Sequence, residues 1–338
     1  MAILTGKSLN FIFIVMKANL VIRQDPGSNS MPGVKWLSDL DGSDSIGVAV
    51  QGTTAPATTL TAPQLSPYTA TNDVRYIDVF MRGNGTAAFT VKPSVPYVKV
   101  TPETGTLTAP GAKSDARVTI TVDWASAPSG SITASLVVSS GSETAATISL
   151  PLSNEAAPKD FKGFVEANGV VSIEPEHWTS NTSTETAHYV VIPDYGRTLS
   201  GVTIWPVTIP SQTTASGPKL TYNFYAFSQP RSAKLIVYLA SSLNTDPKRP
   251  LKYAFSIDSG EPTTVQPVSK YALGSNPSGW SEAVIQGGWT VSTTVTVSPG
   301  AHVLNLWALE PGVVFQKLVI DLGGVKSSAL GPPESMRV

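Results

Sequence analysis

The chain has 338 residues, of which 41 % are hydrophobic and only 14 % are charged, and its formal net charge at pH 7 is −1. A near-neutral chain gives no electrostatic reason to expect nucleic acid or an anionic membrane as a partner. The absence of cysteine excludes disulfides, zinc–thiolate sites and thiol catalysis. With 27 glycines and 27 prolines, the composition predicts β-strands joined by many turns.

Residues 11–16 form an apolar run near the start of the chain. This run is shorter than the roughly 7–15 residues of a signal-peptide core, Lys17 interrupts it, and no small-residue cleavage site follows. It is also much shorter than the about 20 apolar residues of a transmembrane helix. We therefore interpret it as part of a buried element, and find no convincing signal peptide.

Residues 31–73 are rich in glycine, serine, threonine and proline, with one short apolar run, Ile46–Val50. They are predicted to form a connector that lies against other structure. Regular alternation begins at Arg75, and in Ala116–Trp124 every second residue is apolar, which is typical of a half-buried strand. Several such runs, separated by turn clusters, predict an immunoglobulin-like β-sandwich over residues 74–157.

The polar segment Asn154–Asp160 breaks the pattern and is the predicted domain boundary. A second series of alternating runs follows, among them Leu251–Ile257. Roughly nine such strands predict a jelly-roll β-sandwich over residues 162–325, with a C-terminal tail at residues 326–338. The predicted fold class is therefore all-β, with two β-sandwiches in tandem.

Several short segments of the chain form an ordered set that extends from about Met31 to Ser335. They are SIGVAVQG (45–52), RYIDVFMRG (75–83), VSIEPEHW (171–178), GRTLS (196–200), PGVVFQKLVID (311–321) and LGPPES (330–335). In this order they resemble the C-terminal region of glycoside hydrolase family 115, the xylan α-1,2-glucuronidases. Residues 1–30 have no counterpart there, and Gln51 and Pro175 replace the usual Glu and Ala. Pro175 disfavours local strand pairing, because proline cannot donate to the ladder.

The resemblance implies an enzyme whose catalytic domain lies upstream and whose catalytic residues have no counterparts in this chain. No catalytic residue is therefore predicted, and the chain alone is expected to be inactive. We expect a non-catalytic accessory region that helps to assemble a glucuronoxylan-acting glycoside hydrolase. The alternatives are a free-standing carbohydrate-binding module for xylan-type polysaccharide and a structural or adhesive β-sandwich protein.

The partners that the resemblance implies are glucuronoxylan or xylo-oligosaccharide and the catalytic domain of the parent enzyme. A homodimer is a further option, whereas neither nucleic acid nor a membrane is expected. The expected location is extracellular.

The Ile-Glu-Xaa-Glu segment and the Val-Ile-Asp ending also resemble carbohydrate-binding modules of families 6 and 35. In those modules the first and last strands pair and share a structural calcium ion, so the resemblance implies Glu174, Glu176 and Asp321 as calcium ligands. The alternative is a pair of solvated carboxylates at a strand edge, paired with Arg197 or Lys317. Glu174 and Glu176 lie side by side on one strand face, which does not suit an opposed catalytic dyad.

Aromatic residues in loops are the predicted sugar contacts, because loop side chains are exposed more often than those of strands. Trp280 and Trp289 lie in or beside a loop rich in glycine and serine, and Tyr195 lies in another loop. We predict that these three residues contact carbohydrate. The tryptophans within strand patterns are expected in the core, namely Trp124, Trp178, Trp205 and Trp307.

Overall fold

The computed structural model describes residues 45–53, 57–70, 75–229, 232–272 and 274–338. The predicted N-terminal segment, residues 1–30, and the first part of the predicted connector lie outside these ranges. The described strands form four sheets, which pack in pairs around two separate clusters of buried apolar residues. The all-β prediction is thus confirmed. No helix within the described ranges is long and apolar enough to cross a membrane.

The first sandwich consists of a four-stranded and a five-stranded sheet. In spatial order, the four-stranded sheet contains β1 (Ile46–Val50), β3 (Arg75–Met81), β7 (Asp115–Val122) and β5 (Val98–Thr101). The five-stranded sheet contains β2 (Thr59–Thr61), β9 (Glu143–Asn154), β8 (Gly130–Ser140), β4 (Gly85–Pro93) and β6 (Thr104–Ala109). Neighbouring strands are antiparallel, except that β2 runs parallel to β9.

Alternation along the strands places the apolar side chains between the two sheets. Ile77 and Val79 of β3 are fully buried, whereas Asp78 between them lies on the outer face. There the Asp78 carboxylate accepts a hydrogen bond from the Arg117 guanidinium at 2.9 Å. The apolar run of the predicted connector is strand β1, which pairs with β3. That segment therefore contributes an edge strand to the sandwich, because its buried face completes the same core.

The second sandwich consists of two six-stranded sheets. The first contains β10 (Phe164–Val165), β15 (Lys219–Ala226), β20 (Gly300–Ala308), β17 (Tyr253–Ile257) and β18 (Thr263–Val265), with β12 (Ser180–Thr182) also on β15. The second contains β13 (His188–Ile192), β14 (Gly201–Trp205), β21 (Phe315–Asp321), β16 (Ala233–Leu239) and β19 (Trp289–Val295), with β11 (Val170–Ile173) also on β21. One short helix, α1 (Trp280–Ile285), precedes β19.

Large aromatic side chains fill the space between these two sheets. Tyr222, Phe224, Tyr253 and Phe315 are fully buried there, and the Tyr253 and Phe315 rings meet edge to face at 5.8 Å. Burial raises the pKa of the Tyr222 and Tyr253 hydroxyls, because the charged phenolate is disfavoured in an apolar core. The sandwich thus has a rigid core that positions the loops at its ends.

The C-terminal tail folds back over the beginning of the second sandwich. The Val165 N–H donates to the Met336 carbonyl at 2.9 Å, and the Ser335 N–H donates to the Ser172 carbonyl at 2.9 Å. Strand β11 ends two residues before Pro175, so this proline occupies no place in the ladder. The tail therefore covers backbone groups at both β10 and β11.

Candidate functional site

Glu174, which follows β11, was one of the predicted calcium ligands. Its side chain is only 4 % exposed, and its Oε1 lies 3.1 Å from the Nζ of Lys317, whose side chain is 0 % exposed. The Thr198 hydroxyl also donates to Oε1. The charge opposite Glu174 is therefore the buried ammonium group of Lys317, whereas the alternative considered from the sequence was a solvated carboxylate paired with Arg197 or Lys317.

The buried ammonium of Lys317 also connects the sheet to the tail. Its Nζ donates to the Pro332 carbonyl at 3.0 Å, and the Ser172 hydroxyl donates to the same carbonyl at 3.0 Å. A charge can be buried at this position because both the carboxylate and a carbonyl accept from it. The pair thus fixes β21, the end of β11 and the tail to one another.

The other two predicted ligands have different neighbours. Glu176 is 3.8 Å from the Nε2 of His177. Asp321 pairs with Val170 at the opposite end of β11, and its Oδ1 accepts from the Gly323 and Val325 N–H groups. Asp321 is four residues after Lys317 in β21. At about 3.3 Å per residue, it therefore lies roughly 13 Å along the strand from Lys317, the residue that pairs with Glu174.

The predicted convergence of Glu174, Glu176 and Asp321 on one ion is therefore wrong. In the described part of the chain, no group of three or more histidine, aspartate or glutamate residues is placed to hold a metal. Binding of a structural calcium ion stays a prediction, and a melting temperature that falls on addition of chelator would support it.

The three predicted sugar contacts differ in their exposure. Trp289 is only 8 % exposed, and its Nε1 donates to the Ser242 carbonyl at 2.9 Å, so it is a core residue. Trp280 begins helix α1, is half-buried, and packs on Trp289 with ring centroids 6.0 Å apart. Tyr195, in the loop between β13 and β14, is exposed. Trp289 thus supports Trp280 from the core side, while Tyr195 faces solvent.

A β-bulge at Gln316 places this side chain against the Tyr195 loop. Tyr238 pairs with Lys317 and Leu239 with Phe315, so Gln316 is the extra residue. Its Nε2 donates to the Tyr195 carbonyl at 2.9 Å, and its buried Oε1 accepts no hydrogen bond from the described residues. The sequence pattern gave no signal for this residue, because a bulge depends on pairing between strands.

Arg197 joins the same loop to helix α1. Its guanidinium donates to the Gln286 carbonyl just after the helix and lies over the Tyr238 ring, 5.4 Å from the centroid. Partial burial lowers the pKa of Arg197 and raises the pKa of Tyr238, because burial disfavours both charged forms. The short helix is therefore held at its first residue by Trp289 and at its end by Arg197.

Trp205, at the end of β14, differs from the sequence prediction. It was expected in the core, but 47 % of its surface is exposed, and it pairs with the exposed His188 of the edge strand β13. The expectation fails because the outer face of β14 is uncovered at this point. Trp307 is buried as expected, and Trp124 and Trp178 are partly buried against the two cores.

The family model of the glycosyl hydrolase family 115 C-terminal domain matches residues 163–334, just over half of the chain. The chain belongs to this family. The matched region contains the second sandwich, the Glu174–Lys317 pair and most of the tail. Among curated proteins, no sequence matches the chain.

Solved structures similar to this family 115 chain include whole enzymes and isolated modules. One is a family 115 4-O-methyl-α-glucuronidase with specificity for decorated arabinogalactans (16 % identity, TM-score 0.34). That match covers 50 % of this chain but only 19 % of the enzyme. Another is the C-terminal family 6 carbohydrate-binding module of the laminarinase LamC from Zobellia galactanivorans (20 % identity, 45 % and 98 % coverage, TM-score 0.27). A third is a family 35 carbohydrate-binding module from Clostridium thermocellum (16 % identity, 44 % and 97 % coverage, TM-score 0.29).

Three segments that meet around Arg197 and Tyr238 each expose large apolar side chains. Ile285 at the end of α1 is 75 % exposed and Val284 beside it is also exposed. The Tyr195 loop exposes Leu199, and the tail exposes Leu330, next to a glycine that packs on Tyr238. We call Leu199, Val284, Ile285 and Leu330 the apolar end patch. Single exposed apolar residues are common, but a group of them on connected segments is a candidate contact surface.

Proposed function

We propose that the chain is an accessory region that packs against the catalytic part of a glucuronoxylan-acting family 115 glycoside hydrolase and helps to assemble that enzyme. The apolar end patch is the observation that carries this proposal. Its Ile285 exposes three quarters of its surface on a helix that is anchored at both ends. A rigid apolar surface of this kind suits a permanent contact between domains.

The family supports the identity of the partner. A C-terminal domain of a glycosyl hydrolase family is part of a longer enzyme, so an upstream catalytic domain is the natural occupant of the patch. The chemistry agrees with a stable contact, because the patch consists of leucine, isoleucine and valine. Burying one such side chain stabilises an interface by about 1.5–3 kcal/mol.

The test uses this chain and the separately produced catalytic part of a family 115 α-glucuronidase, with binding measured by titration calorimetry. Replacing Ile285 by Asp should weaken binding at least tenfold, because it removes an apolar contact and buries a charge. Val207→Asp is the matched control. Val207 is also exposed, but it comes just after the C-terminal end of β14, whereas Leu199 of the patch comes just before the start of this strand. Equal weakening by both variants, or no binding by the unmodified chain, would contradict the proposal.

A second candidate function is that of a free-standing carbohydrate-binding module. The exposed rings of Tyr195 and Trp205 favour it, because sugar faces stack on flat aromatic surfaces. Trp205→Ala should then reduce retention on insoluble xylan without changing the melting temperature, and Trp280→Ala should reduce it as well. Soluble xylo-oligosaccharide must also reduce the retention of the unmodified chain on insoluble xylan. Unchanged retention of both variants would exclude Trp205 and Trp280 as contacts.

A further inference from the structure

A polar cavity of about 170 Å³ lies where the two sandwiches meet. The first sandwich lines it with Ser66, Tyr68 and Ser131, and the second lines it with Glu166 and Phe227. At about 30 Å³ per water molecule, this volume corresponds to roughly six waters, which is comparable to the volume of one sugar ring. Cavities between domains are common places for small-molecule sites.

The walls of this cavity are held together across the junction. The Tyr68 and Phe227 rings stack at 5.8 Å, and the Tyr68 hydroxyl accepts from the Ala157 N–H at 2.9 Å. The amide of Asn168, oriented to suit both neighbours, donates to the Gln64 carbonyl at 2.6 Å and accepts from Arg75 at 2.7 Å. Asn168 adopts a positive φ of 57°, which asparagine tolerates better than most residues. The cavity is therefore preformed, not a gap between loosely joined domains.

Glu166 supplies a buried carboxylate to this cavity. It is only 4 % exposed and accepts from the Phe227 N–H at 2.6 Å, the Ser228 N–H at 2.8 Å and the Ser228 hydroxyl. Among the described residues, no lysine, arginine or histidine forms an ion pair with it. A carboxylate has about four acceptor positions, so one remains for a donor inside the cavity.

We infer that this cavity binds one neutral sugar residue. Sugar hydroxyls donate to Glu166 and Glu155, and they exchange hydrogen bonds with the serine hydroxyls of the lining. The rings of Tyr68 and Phe227, which stack on each other, supply the small apolar part of the lining beside the sugar. Two carboxylates in the lining disfavour a uronic acid, because like charges repel at close range. This site is separate from the apolar end patch and from the rings of the second candidate function.

The test titrates the full chain with D-xylose, D-galactose and D-glucuronate in turn, and binding is measured by calorimetry. We expect one neutral sugar to bind with a dissociation constant on the order of millimolar, and glucuronate to bind at least fivefold more weakly. Ser131→Trp should abolish binding, because Ser131 is exposed at the rim and the new ring would occupy the cavity. Thr133→Trp is the matched control, since Thr133 is exposed two residues further along β8 and does not line the cavity.

Three results would overturn the inference. The first is that neither neutral sugar shows saturable binding. The second is that Ser131→Trp leaves neutral-sugar binding unchanged. The third is that glucuronate binds as tightly as the neutral sugars. Calcium chloride alone is titrated in parallel, because a cation could also use the two carboxylates. Calcium binding that Ser131→Trp removes, together with the first of these results, would assign the cavity to a metal instead. None of these results depends on contact with a catalytic domain.

Discussion

Replacing Lys317 by Met is the sharpest test of the buried ion pair. Methionine keeps an apolar stem of similar length but leaves the Glu174 carboxylate buried with no cation and the Pro332 carbonyl without its ammonium donor. At 3.1 Å and an effective dielectric constant of about 20, the lost Coulomb attraction is about 5 kcal/mol. Removing one partner of a buried pair typically costs about 3–5 kcal/mol, so we expect a destabilisation in that range.

The assay is equilibrium unfolding in urea, followed by tryptophan fluorescence and by far-UV circular dichroism. Two sandwiches can give two transitions, so the transition of the second sandwich is assigned first. Lys234→Met on the neighbouring strand is the control, because Lys234 is exposed and its loss should cost less than about 0.5 kcal/mol.

The double variant Glu174→Leu/Lys317→Met completes the test. It should recover most of the lost stability, since replacing both charges by apolar groups is often neutral. A loss below about 1 kcal/mol for Lys317→Met, or a double variant no more stable than the single one, would refute the reasoning.

Two further predictions use the same unfolding assay. Trp289→Ala should cost about 3–5 kcal/mol because Trp289 is buried, whereas Trp280→Ala should cost clearly less; equal losses would mean that Trp280 is a core residue too. Tyr253→Phe should stabilise the protein or leave it unchanged, because the buried Tyr253 hydroxyl has no hydrogen-bond partner among the described residues. Tyr222→Phe should instead cost about 1 kcal/mol, because the Tyr222 hydroxyl donates to the Pro175 carbonyl at 2.7 Å. The opposite order for the two tyrosines would contradict this account.

Strand positions followed from the sequence wherever alternation was regular. The predicted strand Ala116–Trp124 overlaps the observed β7 almost completely, because one face of it packs on a core and the other faces solvent. Strands β1 and β2 were not assigned to the sandwich. They are short and lie among glycine, threonine and proline, and pairing with distant strands determines where they lie.

Exposure was harder to predict than strand position. Trp205 and Trp307 both lie in alternating patterns, yet only Trp307 is buried. Alternation shows which residues share a face, but not whether another element covers that face. The same limit applies to Trp289, the first residue of β19, which was predicted to contact sugar but has its ring in the core.

The carboxylate prediction failed because of strand direction, and the correct partner follows from the same rule. Strands β11 and β21 are antiparallel, so the end of β11 meets the beginning of β21. Glu174 follows β11 directly and must therefore face the first half of β21, whereas Asp321 closes that strand and lies beside the start of β11. The sequence of β21 is FQKLVID, and its one basic residue is Lys317, in the first half. Once the two strands are known to pair antiparallel, the burial of a carboxylate at Glu174 requires a nearby cation, and Lys317 is the residue of β21 that can provide it.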